Sequence, residues 1–207
     1  MKAHARTSIG KHSFILPAFA SGDDASLITA INDISEQAPF RQMVTPRGFK
    51  MAALMTNCGD WGWVSDRRGY RYQRTDPHTG KTWPEMPALF QELAEKAAAV
   101  CGFSHFLPDA CLINRYHPGT GMGLHQDKDE KDFSAPIVSV SLGVPAIFLF
   151  GGLQRQDKPT HHLLHHGDVV VWGNEDRLRF HGIHPIKLAH HPLTGQYRYN
   201  LTFRRAV

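Results

Sequence analysis

APIVSVSLGVPAIFLFGG, residues 135–152, and HGDVVVWG, residues 166–173, decide the fold class. Both contain short β-branched runs, Ile137-Val138-Ser139-Val140 and Val169-Val170-Val171-Trp172, bounded by glycine and proline. That is the pattern of short strands separated by tight turns. Working outward, strands are expected over 110–116, 136–142, 145–150, 163–165, 168–172, 181–186 and 197–204. On the N-terminal side two helices are expected. Ser21 to Gln37 has Ser21, Asp23 and Asp24 to cap its start and a stripe of Leu27, Ile28, Ile31 and Ile34. Pro87 to Val100 opens with a proline and closes at Gly102. The stretch 39–86 between them is rich in Gly, Pro and aromatics and should hold at least one short strand pair. Two helices followed by a run of strands imply an α+β chain with a jelly-roll core.

Within the strand-rich half lie LHQD (124–127) and FHGIH (180–184). His125, Asp127 and a distant His181 have the form of a 2-His-1-carboxylate facial triad, which binds Fe(II) and leaves open positions for a cosubstrate and oxygen. If both lie on a strand, His125 and Asp127 point the same way and can share one metal. Zinc could use the same three groups. In a chain with 14 histidines the spacing alone carries little weight. His184, followed by Pro185, ranks below His181 as the third ligand. The pairs His161/His162, His165/His166 and His190/His191 read as solvated loop residues.

The C-terminal segment 197–204 adds weight. Tyr197, Tyr199, Leu201 and Phe203 form one face and Arg198, Asn200, Thr202 and Arg204 the other. A polar face with an arginine at each end suits the wall of an anion site, because guanidinium forks pair with carboxylates. The competing reading is an edge strand kept soluble by charge.

PFRQMVTPRGFKMAALMTNCG (39–59), DACLINRYHPG (109–119), LHQDKDE (124–130), APIVSVSLGVPAIFLFGG (135–152), HGDVVVWG (166–173) and RYNLTFR (198–204) occur in this order. Together they resemble the AlkB family of Fe(II)/2-oxoglutarate-dependent dioxygenases that repair alkylated nucleic acids. The resemblance runs from about residue 39 to the end. It implies a double-stranded β-helix core (109–207), helices and a nucleotide-recognition lid (21–108), and an N-terminal extension (about 1–20) within one domain. It implies Fe(II) held by His125, Asp127 and His181, with 2-oxoglutarate and O2 as cosubstrates. Arg204 is expected on the distal carboxylate of 2-oxoglutarate and Arg198 nearer the metal end, with Asn200, Asn114 and Tyr116 hydrogen-bonding the cosubstrate. For the substrate it points to Trp63 and Tyr70 stacking a base taken out of the helix. Asp129 would accept from an exocyclic amine, and Arg155 would contact base or backbone. Thr45, Met55, Arg67, Arg71, Tyr72 and Arg74 are lid contacts to the strand. Without the resemblance, Asn114 and Tyr116 read as ordinary strand residues, Trp63 and Tyr70 as hydrophobic anchors, and Asp129 as a solvated charge. A second tryptophan, Trp61, departs from the family pattern. The implied reaction is oxidative demethylation of bases such as 1-methyladenine and 3-methylcytosine, releasing formaldehyde, succinate and CO2. The partner is alkylated DNA, single- or double-stranded, with RNA left open, and a monomer is the default.

Composition agrees. The chain has 207 residues, 42% of them hydrophobic, and a formal charge of +4, with a pI of about 9.1. That suits a polyanionic partner without demanding one. Cys58, Cys101 and Cys111 are odd in number and lack CxxC spacing, so they read as reduced cytosolic thiols. The apolar run Phe14 to Ala20 is too short, and broken by Pro17, for an export signal or a membrane span. A cytoplasmic protein follows. Two readings compete with repair: an oxygenase of the same core acting on a small molecule or protein side chain, and a jelly-roll module that binds metal without turnover.

Overall fold

A computed structural model describes residues 5–207. Helix α1 (Asp24–Gln37) and helix α2 (Ala88–Val100) flank two sheets. Eight strands form the larger sheet: β1 (Thr7–Ser8), β2 (Ser13–Leu16), β3 (Arg41–Val44), β4 (Lys50–Gly59), β7 (Ala110–Tyr116), β9 (Ile137–Gly143), β12 (Val169–Trp172) and β14 (Arg198–Arg204). Their order is β1-β2-β12-β9-β14-β7-β4-β3. The smaller sheet holds β8 (Met122–His125), β10 (Ala146–Phe150), β11 (Thr160–Leu164) and β13 (His181–Ile183), in the order β11-β10-β13-β8. A separate hairpin pairs β5 (Gly62–Asp66) with β6 (Gly69–Gln73). All these pairings are antiparallel, and the two facing sheets make the expected jelly roll.

Strand alternation builds two cores from one sheet. On β12, Val169 and Val171 face a core shared with Leu27, Ile31, Phe90 and Leu93 of the helices, while Val170 and Trp172 face Phe148, Phe150 and Leu164 of the smaller sheet. On β14, Tyr199, Leu201 and Phe203 join the helix-side core. Arg198, Asn200, Thr202 and Arg204 therefore point between the sheets, and all four are buried. β14 lies between β9 and β7, so the reading of an exposed edge strand falls: its polar face lines an interior.

Several expectations need correction. Residues 13–16, which carry no legible signal, pair with β12 inside the larger sheet. β8 was not foreseen; its glycine and methionine lack strand character, and it forms by pairing with β13. β13 is shorter than expected, because Pro185 cannot donate to a ladder. No side chain caps α1 at Asp23; Asp24 accepts from the Ala25 N–H and faces His166 instead. His166 is not a solvated loop residue: Nδ1 accepts the Gly143 N–H at 2.9 Å and Nε2 lies 3.0 Å from Asp24.

Candidate active site

Between the sheets opens a cavity of about 680 Å³. His125 ends β8 and His181 begins β13, directly opposite in register. A Cβ on Gly182 would meet the Met122 carbonyl oxygen at 2.6 Å. Only glycine lets the two strands approach closely enough to bring the imidazoles together, their centroids 4.4 Å apart. Trp172 and Phe148 pack against His181 from below, at 4.9 and 6.2 Å.

Asp127 does not share the strand face of His125, since β8 ends at His125. The chain leaves the sheet there, and two arginines place the aspartate. Arg177 Nη1 donates to the Asp127 backbone carbonyl at 2.7 Å. Arg204 donates to Asp127 Oδ2 through Nε at 3.0 Å and Nη2 at 2.7 Å. The carboxylate then lies 3.7 Å from His125 Nε2 and 3.6 Å from His181 Nε2. Both Nδ1 atoms face carbonyls, Gly123 O at 2.9 Å and Arg179 O at 3.0 Å. A carbonyl can only accept, so each ring carries a proton on Nδ1 and turns Nε2 to the shared space. Three ligand atoms converge within 4.8 Å, and no other such group of His, Cys, Asp or Glu exists among the described residues. The donor set fits a divalent metal. His184 stands apart, exposed.

The electrostatics match. Burial, with His181 beside it, pushes His125 down to about 4, so its imidazole is neutral near pH 7. Burial works to raise Asp127, but the Arg204 guanidinium and the two histidines outweigh it and hold the carboxyl well below its usual range. The site therefore presents two imidazole nitrogens and one carboxylate, a donor set that carries one negative charge when it binds a divalent cation.

The two arginines of β14 stand the other way round from the expectation. Arg204 is at the metal end, bound to Asp127. Arg198, six residues along the strand, is the distal one. Its Nη2 donates to Ser141 Oγ at 3.0 Å and its guanidinium lies 5.3 Å from the Tyr116 ring centroid. Nε and Nη1 are buried with no partner, as is Asn114 Oδ1. Two buried guanidinium donors without a protein partner suit an anion. Burial, against the opposing pull of the Arg198 guanidinium, pushes the Tyr116 hydroxyl up to about 12, so it stays protonated. Asn200 Nδ2 donates to Ser139 Oγ at 2.7 Å, and its Oδ1 accepts from Thr202. Asn114, Tyr116 and Asn200 line the cavity, as do Ser139 and Thr202; Arg198 stands behind Tyr116.

Of the substrate residues, Trp63, Tyr70, Met55, Asp129 and Arg155 line the same cavity. Trp63 and Tyr70 stack on each other, centroids 5.6 Å apart and rings 14° from parallel. Trp63 Nε1 donates to Asp129 Oδ2 at 2.8 Å. Arg155 donates to the Leu124 carbonyl at 2.9 Å. Thr45, Arg71 and Tyr72 do not line this cavity. Thr45 Oγ1 accepts the Phe49 N–H in its own turn, and Arg71 is forked onto Asp66. Arg67 and Arg74 are exposed on and beside the hairpin.

Glu130 and Arg177 were missed. Glu130 sits in an acidic run that reads as solvated, yet it is 6% exposed. It accepts from Tyr72 at 2.6 Å and Arg177 at 3.1 Å, and pairs with Arg204 at 3.3 Å. No local signal separates it from Asp129 or Asp132, because its partners come from 47 to 74 positions away along the chain.

The sequence and structure were compared with known proteins. The model of the 2OG-Fe(II) oxygenase superfamily matches residues 13–204. The alpha-ketoglutarate-dependent dioxygenase AlkB of Escherichia coli is 59% identical over 93% of this chain and 89% of its own. The human nucleic acid dioxygenase ALKBH1 is 36% identical over 56% of this chain and 30% of its own. The solved structure of OsALKBH1 superposes with a TM-score of 0.84 at 28% identity, covering 97% of this chain and all of that one. The chain thus belongs to the 2OG-Fe(II) oxygenase superfamily, as an AlkB-family dioxygenase that works with Fe(II), 2-oxoglutarate and O2.

Proposed function

We propose that this chain oxidatively removes N-linked alkyl groups from nucleic-acid bases, of the 1-methyladenine and 3-methylcytosine type. The observation that carries the reading is one cavity in which a converging His-Asp-His triad faces an aromatic and carboxylate shelf, Trp63 with Asp129. The names of the relatives, an AlkB dioxygenase and a nucleic acid dioxygenase, support it.

His125, Asp127 and His181 hold the iron through two Nε2 atoms and one carboxylate oxygen. Arg204 keeps the carboxylate turned toward them. Arg198 takes the distal carboxylate of 2-oxoglutarate with its unpaired Nε and Nη1, and Asn114, Tyr116 and Asn200 orient the cosubstrate. When bound, Fe(II), 2-oxoglutarate and O2 supply the oxidation that turns an N-methyl into an N-hydroxymethyl group, which leaves as formaldehyde, with succinate and CO2 as coproducts. Trp63 and Tyr70 present π faces to the base, and Asp129 faces its exocyclic amine. A methylated adenine or cytosine of this type is cationic, so an aromatic face and a carboxylate favour it over the normal base. Met55 and Arg155 border the entry. Thr45, Arg71 and Tyr72 act from outside the cavity, as supports of the lid. The reading is of a monomer acting on DNA, single- or double-stranded, or RNA, in the cytoplasm. No helix among the described residues is long and apolar enough to cross a membrane.

The test is mass spectrometry of a single-stranded oligonucleotide with one 1-methyladenine, incubated with protein, Fe(II), ascorbate and 2-oxoglutarate. The methyl group should be lost only when 2-oxoglutarate is present. Succinate formation with an intact oligonucleotide would overturn the substrate and move the reading to a small molecule or protein side chain.

A further inference from the structure

The face of the hairpin that carries Trp63 does not end at the cavity. Register pairs Trp63 with Tyr72 and Gly62 with Gln73. Side chains alternate along strands, so the next residues outward, Trp61 and Arg74, continue the face of Trp63 and Tyr72. The Arg74 guanidinium lies over the Trp61 ring, 4.7 Å from its centroid. A second cavity of about 260 Å³ opens there, bordered by Trp61, Tyr70, Arg71, Tyr72, Asp129 and Lys131, with Ala206 and Val207 at its edge. Tyr70 and Asp129 border both cavities, so they form the wall between them. The segment 129–131 runs beside the same face: Asp129 accepts from Trp63, Glu130 from Tyr72, and Lys131 reaches the second cavity.

The charges near it are unevenly spent. Arg71 and Arg68 are taken up by Asp66, and Asp129 accepts from the Trp63 indole. Arg74 and Lys131 carry no ion pair among the described residues, and both are exposed. An aromatic ring already stacked by a guanidinium, with a second free cation opposite, is the composition of a site for one base and one phosphate of a single strand. Two residues along a strand is about 7 Å, a step that one extended nucleotide can span.

We propose that the Trp61–Arg74 shelf, with Lys131, is a second nucleotide site, which takes the nucleotide next to the one whose base enters the main cavity. The base stacks on the Trp61–Arg74 pair and Lys131 meets the phosphate. The proposal rests on the nucleic-acid reading above and adds to it a footprint longer than the damaged nucleotide.

The test is binding, read by fluorescence anisotropy with anaerobic protein loaded with Fe(II) and 2-oxoglutarate. The probes are labelled single strands with one 1-methyladenine and a single abasic position placed in turn at each neighbouring site. The protein should lose about tenfold in affinity at one abasic position and little at the others. A Trp61→Ala, Arg74→Ala double variant should bind the complete strand about tenfold more weakly and be indifferent to that abasic position. Trp61→Phe should restore the sensitivity, which a merely misfolded hairpin would not. Equal affinity for every abasic probe, or a double variant that keeps the same sensitivity, would overturn the second site while leaving demethylation in place. If the protein binds none of the strands and never demethylates them, the nucleic-acid reading itself fails and takes this proposal with it.

Discussion

The floor of the cavity and its rim are built on opposite principles. At the floor, the metal-ligating groups and the acids beside them are each fixed by a partner. Asp127 is held by Arg204 and Arg177, each histidine by a backbone carbonyl, and Glu130 by two arginines and Tyr72. At the rim, Tyr70 is 46% exposed and Asp129 is open to solvent, and one hydrogen bond ties Trp63 to the segment beneath. Ligand and cosubstrate groups must be placed accurately before reaction, and buried networks give that accuracy. A rim that stacks and pairs loosely can admit bases of different outline. Under the proposed function, oxidation chemistry falls to the floor and substrate choice to the rim.

Substitutions can break or sharpen this division. The largest effect is expected for Asp127→Ala, which leaves Arg204 with Glu130 alone as its carboxylate and removes one of three converging ligands. Iron binding, measured by equilibrium dialysis, and demethylation should both be lost. Next comes Arg198→Met, which removes charged donors from the distal end. The 2-oxoglutarate concentration for half-maximal turnover should rise about 10- to 100-fold, the worth of a charge-assisted hydrogen bond, with the oligonucleotide KM unchanged. If the effect fell on Arg204→Met alone, the assignment of the distal end would be reversed. Glu130→Gln keeps an acceptor for Tyr72 but loses the charge between Arg177 and Arg204. Metal affinity should drop about tenfold, as for other groups that orient a metal ligand from behind. The smallest effect is expected for Trp63→Phe, which keeps a ring and deletes the bond to Asp129. KM for the methylated oligonucleotide should rise about threefold, the low end for a single hydrogen bond, with 2-oxoglutarate dependence untouched.

The same division decides what was legible in the sequence. The alternation of β14 and the β-branched runs of β9 and β12 report burial on both faces, because a strand between two cores must be apolar or specifically paired at every position. Spacing picked out the triad residues, yet the reason given for Asp127 did not hold. Its position comes from Arg177 and Arg204, 50 and 77 residues away, and no periodicity encodes such a contact. The order of the two arginines was misjudged for the same reason: a strand pattern shows that both face the interior but not which end holds the metal. Glu130 looked like one more solvated acid. β2 and β8 form only because β12 and β13 offer them a ladder, so their own residues carry little strand signal. Along the hairpin the aromatic residues were visible, but their stacking and their hydrogen bonds to the segment 129–131 depend on tertiary packing.

The most direct test of the division is an anaerobic titration of 2-oxoglutarate into the Fe(II)-loaded protein, followed by the visible charge-transfer absorption of the chelated 2-oxo acid. It should be run on the unsubstituted chain, Arg198→Met and Trp63→Ala. The account predicts that Trp63→Ala titrates like the unsubstituted chain and that Arg198→Met needs about 10- to 100-fold more 2-oxoglutarate. A shifted titration for Trp63→Ala, or an unshifted one for Arg198→Met, would contradict it.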